Sequence, residues 1–350
     1  MTTTTKTPET MSAPATELPP PLQLLNMITA PWVTQSLYVV CKMGVPDLLK
    51  EGTKSSAALA KATGAHEPSL FRVLRALSSI GVFEEKETRH FALGPLGQFL
   101  RKDVRGSMRN MALFQGAPDH HKGWTGLLHA VRTGKSGFTH VHGENIFERF
   151  KKDKEYSEAF NGAMTELSQM EAALILEAYD FAEIKQLADI GGGHGYLMAE
   201  ILKKNPSMRG IVSDLGHVLE GSKEPLKRAG LADRCNVVEG DFFKAVPAAE
   251  NYITKHIMHD WDDEGCVKIL NCMKRAMVGK GKILIADSII PPGNEPAWPK
   301  LLDLEMLNSC DGGKERTESE FEALLKAVGF RLERVVQTSG DIALIEGVSA

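Results

Sequence analysis

The stretch Leu187-Ala-Asp-Ile-Gly-Gly-Gly-His-Gly195 runs an apolar segment straight into a glycine-rich turn. Tyr196-Leu-Met-Ala-Glu-Ile-Leu-Lys-Lys204 follows it with helical spacing. A strand, a tight turn and a helix are the expected elements. Glycines at such a turn let a ligand approach the backbone, and the helix N-terminus then presents N–H groups to it. The expected ligand is a nucleotide-like cofactor.

Strand and helix patterns alternate downstream. Apolar runs predict strands at 186–190, 210–214, 236–240, 252–256 and 282–287, with helices between them. Runs at 330–336 and 341–346, joined at Thr338-Ser-Gly340, predict an antiparallel hairpin. The expected fold class is α/β, an open and mostly parallel sheet. Upstream, helical spacing at 22–49 is interrupted by Pro31 and Pro46. Two short helices at 55–66 and 68–80 precede two short strands, Val82-Phe-Glu-Glu and His90-Phe-Ala-Leu. That order is a winged-helix pattern. Residues 95–185 read as mostly helical, with long helices at 147–160 and 164–179.

Composition narrows the function classes. Hydrophobic content is 43% and charged content 25%, as in ordinary globular proteins. A net charge of −4 argues against nucleic acid as a partner. Arg72 and Arg75 sit on the helix that would read DNA, but no basic patch surrounds them. No unbroken run of 18 apolar residues occurs, so no membrane span is expected. The five cysteines form no CxxC pair, which fits a reducing, cytoplasmic location and no zinc site. Residues 1–20 are Thr- and Pro-rich and are expected to be disordered.

Four acids and a histidine sharpen the reading of the site. Asp214 ends the second strand, where a carboxylate can bond both ribose hydroxyls. Asp241 ends the third, in Glu239-Gly-Asp-Phe-Phe243; it can bond an adenine amine while the next ring stacks on the base. The glycine spacing departs from the dinucleotide pattern G-x-G-x-x-G, with Leu197 where Gly or Ala is wanted, and no Walker lysine is present. S-adenosylmethionine (SAM) is therefore favoured over NAD. His259-Asp260-Trp261 follows the fourth strand, on the side where α/β sheets bind ligands. Asp287 and Glu315 could reach the same mouth, and a carboxylate on an imidazole N–H fixes its tautomer and raises its basicity. His256 is the rival for the base.

On these motifs, with Ser213-Asp-Leu215, Lys255 through Trp261, and Gly312-Gly-Lys-Glu-Arg-Thr-Glu-Ser-Glu-Phe321, the chain resembles the SAM-dependent O-methyltransferases of the plant caffeate, acetylserotonin and bacterial antibiotic type. The resemblance implies a winged-helix dimerisation domain at 21–110 and a seven-stranded methyltransferase domain at 111–350. It implies a homodimer, no metal, and release of S-adenosylhomocysteine. Gly191, Gly193, Asp214, Leu215, Asp241, Phe242, Lys255 and Ser168 would hold the cofactor. His259 would be the general base, with Asp287 and Glu315 orienting it. Phe160, Met164, Asp260 and Met306 would meet a small aromatic hydroxylated acceptor. The family often carries Glu where this chain has Asp287. Two rival functions share these motifs: a SAM-binding relative that has lost methyl transfer, and a winged-helix sensor of small molecules.

Overall fold

The computed structural model describes residues 18–219 and 223–350, so most of the expected tail at 1–20 lies outside the described residues. The first helix among the described residues is Pro20–Lys42, which continues through Pro31 where the sequence suggested a break. This helix is long and apolar enough to cross a bilayer by length and composition alone, and only 11% of that stretch is buried.

A small winged-helix unit follows. Ser55 caps the helix Ser56–Thr63 by accepting from the Ala58 N–H at 3.1 Å, and Gly64 ends it at φ 70°. The helix Glu67–Ser78 starts with Pro68 in its first turn and buries Leu70, Leu74 and Leu77, spaced to share one face. Strands β2 (Phe83–Glu87) and β3 (His90–Leu93) form the wing. The two-residue β1 (Lys54–Ser55) adds a third strand that periodicity could not reveal. Leu59, Phe83 and Phe91 close this core.

The middle of the chain is helical. The two helices expected at 147–160 and 164–179 are instead Ile146–Lys152 and one continuous 25-residue helix, Lys154–Ala178. Asp153 ends the first and caps the second through the Tyr156 N–H. The buried Glu166 on the long helix accepts from the N–H groups of Asn110 and Met111, two otherwise unpaired donors opening the helix Arg109–Gln115. Several histidines lie in this helical middle, at 120–142. His120 is buried, bonded at Nδ1 to the Tyr156 hydroxyl and facing Glu305, and His129 stacks on His140.

Seven strands make the main sheet: β4 (Gln186–Ile190), β5 (Arg209–Asp214), β6 (Cys235–Glu239), β7 (Asn251–Lys255), β8 (Lys282–Ser288), β9 (Phe330–Gln337) and β10 (Ile342–Ser349). Their order is β6-β5-β4-β7-β8-β10-β9. The first five run parallel, and β10 runs antiparallel between β8 and β9. Strand order reverses at β4 and β7, and a crevice opens at such a point beyond the carboxyl ends of the strands. Two apolar layers flank the sheet. One packs Ile175, Met198 and Leu202 on Leu187, Val212 and Leu344. The other packs Ile269, Met273 and Phe321 on Tyr252, Ile285 and Ile345.

Candidate active site

A cavity of about 420 Å³ opens at that crevice. Its floor is the turn after β4. Gly191, Gly193 and Gly195 have φ of 73°, 56° and 74°, a region costly for residues with a Cβ. Space matters as well at Gly191, where a Cβ would stand 2.3 Å from Ile257 Cδ1. Asp214 binds the turn from β5: Oδ2 accepts from the Gly193 N–H at 2.9 Å and Oδ1 from the Leu215 N–H at 2.7 Å. Each of its oxygens keeps a lone pair for a ligand hydroxyl. Asp241 begins a short turn, accepting from the Phe243 N–H at 3.0 Å and pairing with Lys244 at 3.1 Å. Burial pulls its carboxyl up, but Lys244 and that N–H outweigh it and hold it low.

All eight residues expected at the cofactor line this one cavity: Gly191, Gly193, Asp214, Leu215, Asp241, Phe242, Lys255 and Ser168. Phe160, Met164 and Asp260 line it too, beside Phe147 and Phe150. Phe147 stacks on Trp261 at 5.8 Å and Phe150 on Phe160 at 4.5 Å, giving the cavity flat apolar walls. Met306 does not reach it. That side chain is buried in the helix Trp298–Ser309, and Ser309 and Cys310 face the cavity instead.

The histidines sit where β7 ends. The strand stops at Lys255, one residue earlier than the sequence pattern suggests, because His256 takes φ 53°. The chain then turns through a short 3-10 segment, Met258–Asp260. His259 is 7% exposed, and its Nδ1–H donates to Glu315 Oε1 at 2.6 Å. Its Nε2 lies 3.6 Å from Asp260 Oδ1. Burial pulls the His259 imidazole down, but Asp260, Glu315 and Asp287 more than reverse this, and it is pushed up to about 10. Asp287 does not hold His259 by a hydrogen bond. Its Oδ1 lies 3.6 Å from Nδ1 of His256, which took up the place on this side when the strand ended early. Burial raises Asp287 to about 6.

Several residues that sequence reasoning passed over build this corner. Arg316 is fully buried and donates to the carbonyls of Met258 at 2.6 Å and Trp261 at 2.8 Å, and to Asp263. It clamps the turn carrying His259. The Lys314 N–H donates to the His259 carbonyl at 2.9 Å. Gly313 is required because a Cβ there would stand 2.8 Å from that same carbonyl oxygen. Glu171, on the long helix, accepts from Lys255 Nζ at 3.1 Å and His256 Nε2 at 2.7 Å. Burial raises Glu171, but His256 and Lys255 outweigh it and bring it down to about 2. His194 bonds Thr165 across the cavity at 3.1 Å. Gly313, Lys314 and Arg316 carried a visible signal in the Gly312–Phe321 motif, and His194 in the glycine-rich stretch; Glu171 and Thr165 carried none.

Comparison with known proteins finds two family models on the chain. An O-methyltransferase dimerisation domain matches residues 25–103, and an O-methyltransferase domain matches 124–331. The phenazine O-methyltransferase PhzM of Lysobacter antibioticus is 42% identical over 92% of this chain and 94% of its own length. The mitomycin biosynthesis 6-O-methyltransferase of Streptomyces lavendulae is 39% identical over 92% of each. An 8-amino-8-demethylriboflavin N,N-dimethyltransferase of Streptomyces davaonensis is 34% identical over 89% of this chain and 90% of its own. Among solved structures, LaPhzM superposes with a TM-score of 0.92 at 41% identity, covering 95% of this chain and all of its own. Human N-acetylserotonin methyltransferase, solved in complex with SAM, gives a TM-score of 0.86 at 25% identity over 96% of this chain and 99% of its own.

Proposed function

Because the chain belongs to the SAM-dependent O-methyltransferase family, we propose that it methylates a hydroxyl of a small, flat aromatic metabolite with His259 as general base. The observation that carries this reading is the 2.6 Å bond from His259 to Glu315, made directly behind Asp260, which lines the cavity together with the glycine turn, Asp214 and Asp241 while His259 itself does not. The cavity fits the cofactor on its own chemistry. Its floor has no room for a Cβ at Gly191, and Oδ1 of the buried Asp189 has no partner there. Gly191 and Gly193 take the ligand against the backbone, Asp214 the ribose and Asp241 with Phe242 the adenine, while Lys255 and Ser168 meet the amino-acid end. When bound, SAM supplies an electrophilic methyl and a positive charge that opposes imidazolium nearby.

The chain's own work is to orient the acceptor and take its proton. Phe160 and Met164 flank the ring, and Asp260 bonds a polar substituent. A phenol has a pKa of about 10 and free histidine about 6.5, so complete proton transfer would cost roughly 5 kcal/mol. Asp260 and Glu315 raise the proton affinity of His259 and narrow that gap, while the positive charge of bound SAM opposes imidazolium and keeps the ring free to accept the proton. General-base assistance of this kind is worth roughly 10²–10⁴-fold, with in-line positioning supplying much of the rest. The test is transfer of label from isotopic SAM to a panel of phenols, flavonoids and hydroxyquinones, with His259→Ala beside the wild type. The variant should lose about a hundredfold or more in turnover and still bind SAM. Loss of SAM binding would make His259 structural, and SAM binding without any labelled acceptor would favour a member that no longer transfers methyl. Similarity to the N,N-dimethyltransferase makes aromatic amines a second acceptor class, read from the labelled atom.

A homodimer built through the 21–110 domain completes the reading, with 111–350 as the catalytic domain. Met27, Ile28 and Trp32 on the first helix are 70%, 66% and 73% exposed, an apolar stripe that a second copy would cover. Five free, buried cysteines support a cytoplasmic location.

A further inference from the structure

Beside His259 stands a second histidine that the reaction as drawn does not use. His256 lines the cavity. It holds φ 53°, a left-handed conformation that costs roughly 1–2 kcal/mol in a residue other than glycine. Backbone strain of this kind gathers at functional sites, where the surroundings enforce it. Here the enforcing groups are two carboxylates on opposite edges of the ring. Glu171 of the long helix meets Nε2 at 2.7 Å, and Asp287 of β8 faces Nδ1 at 3.6 Å. Lys255 shares Glu171, and the His259 ring lies over the His256 ring with centroids 5.1 Å apart. Behind His259 stand Asp260 and Glu315.

Proton accounting makes the Asp287 side informative. Glu171 is ionised, so His256 Nε2 carries the hydrogen that it donates. Nδ1 and both oxygens of Asp287 are then buried without a hydrogen-bond partner. A lone pair facing a bare carboxylate in a buried site is repulsive, and each unpartnered group carries its full desolvation penalty. One proton between the two atoms removes both problems. Hydrogen bonds at catalytic sites are often long before the substrate is bound.

We propose that His256 Nδ1 and Asp287 share one proton, and that this pair, anchored by Glu171, withholds the Asp287 charge from His259. The pair is then neutral wherever its proton sits. Asp287 no longer adds an unshared negative charge beside His259, which can release its proton at a lower pH. The anchor also ties the catalytic corner to the helix that carries Phe160, Met164 and Ser168. This inference rests on His259 being the base, and the test separates the two.

The experiment is the pH dependence of kcat/KM for a methyl acceptor, together with SAM binding by calorimetry. The variants are His256→Asn, Asp287→Asn, the double variant and His259→Ala. Asparagine is chosen at 256 because it tolerates the left-handed conformation. In His256→Asn the Asp287 charge is unshared, so the rising limb should move up by about one pH unit. The rate at neutral pH falls roughly tenfold, recovers at high pH, and SAM still binds. Adding Asp287→Asn should return the limb to its wild-type place. Asp287→Asn alone should leave it there, because the pair was already neutral.

An unmoved limb in His256→Asn overturns the proposal, as does a downward shift in Asp287→Asn alone. If His256→Asn fails to bind SAM, Asp287→Asn still decides the matter. Activity lost in EDTA would place a cation, not a proton, among the donor atoms of His256, His259 and Asp287, which lie within 4.8 Å of one another, and would also overturn it. A His259→Ala enzyme with undiminished turnover would instead sink the general-base reading itself.

Discussion

At the residue scale the site is governed by how carboxylates are shared between two imidazoles. Glu315 is fixed by its own N–H, which donates to Asp303 Oδ1 at 2.8 Å, and it therefore holds the His259 ring in one orientation. Its charge favours imidazolium, so its removal lowers the proton affinity of His259. Glu315→Gln should move the rising limb of the pH–rate profile to lower pH and reduce kcat at its plateau by roughly tenfold or more, as expected when general-base assistance weakens. Steady-state assays from pH 5 to 10 check both effects, and an upward shift would contradict the assigned sign. His259 and Glu315 were legible in the sequence because each sits in a motif that the topology brings to the sheet's ligand-binding end. The partner of Asp287 was not. Which histidine meets it depends on one residue leaving the β region at 256, and neither alternation nor spacing encodes that departure.

At the scale of elements, short apolar runs located the strands of the main sheet to within a few residues, since buried parallel strands carry a strong signal. The same reasoning expected a break at Pro31, but there the helix continues. It also split the 25-residue helix that walls the cavity, whose polar residues face the glycine turn and β7 (through Thr165 and Glu171) rather than solvent. The turn after β4 offers the sharpest test at this scale. Gly191→Ala would place a methyl 2.3 Å from Ile257 on a backbone of φ 73°. The affinity for SAM should fall about tenfold or more, by roughly 1–2 kcal/mol of αL strain before the steric term is added. Calorimetric titration reads it directly. Gly191→Ala with Ile257→Ala relieves the clash but not the strain and should recover only part of the loss. Full wild-type affinity in the single variant would remove the turn from the cofactor site.

At the scale of the whole molecule, the first helix shows an apolar face that nothing among the described residues covers. Ile28→Asp with Trp32→Asp should shift the protein from dimer to monomer in sedimentation or light scattering at micromolar concentration, while leaving the main sheet folded by circular dichroism. A dimer that survives the double change would place the interface elsewhere. The winged-helix pattern was legible from its helices and wing, and its dimerising use from the family resemblance, but the exposed stripe on the first helix was not, because exposure is a property of packing and a sequence shows only the apolar residues that packing must dispose of.

The placement of β10 has a consequence for how the protein is made. Residues 342–349 fill the slot between β8 and β9, and Ala343 pairs with Asp287. Domains form as the chain leaves the ribosome, from the N-terminal side onward. The winged-helix unit and the five parallel strands can therefore assemble while synthesis continues. β9, though made earlier, has no neighbour to pair with until β10 emerges and inserts beside it. The strand edge that bears Asp287 stays open to solvent and to other chains for the same interval. The catalytic corner is thus among the last parts of the molecule to be sealed, and nascent chains stopped short of residue 342 would carry the glycine turn and both histidines with one flank of their sheet unprotected.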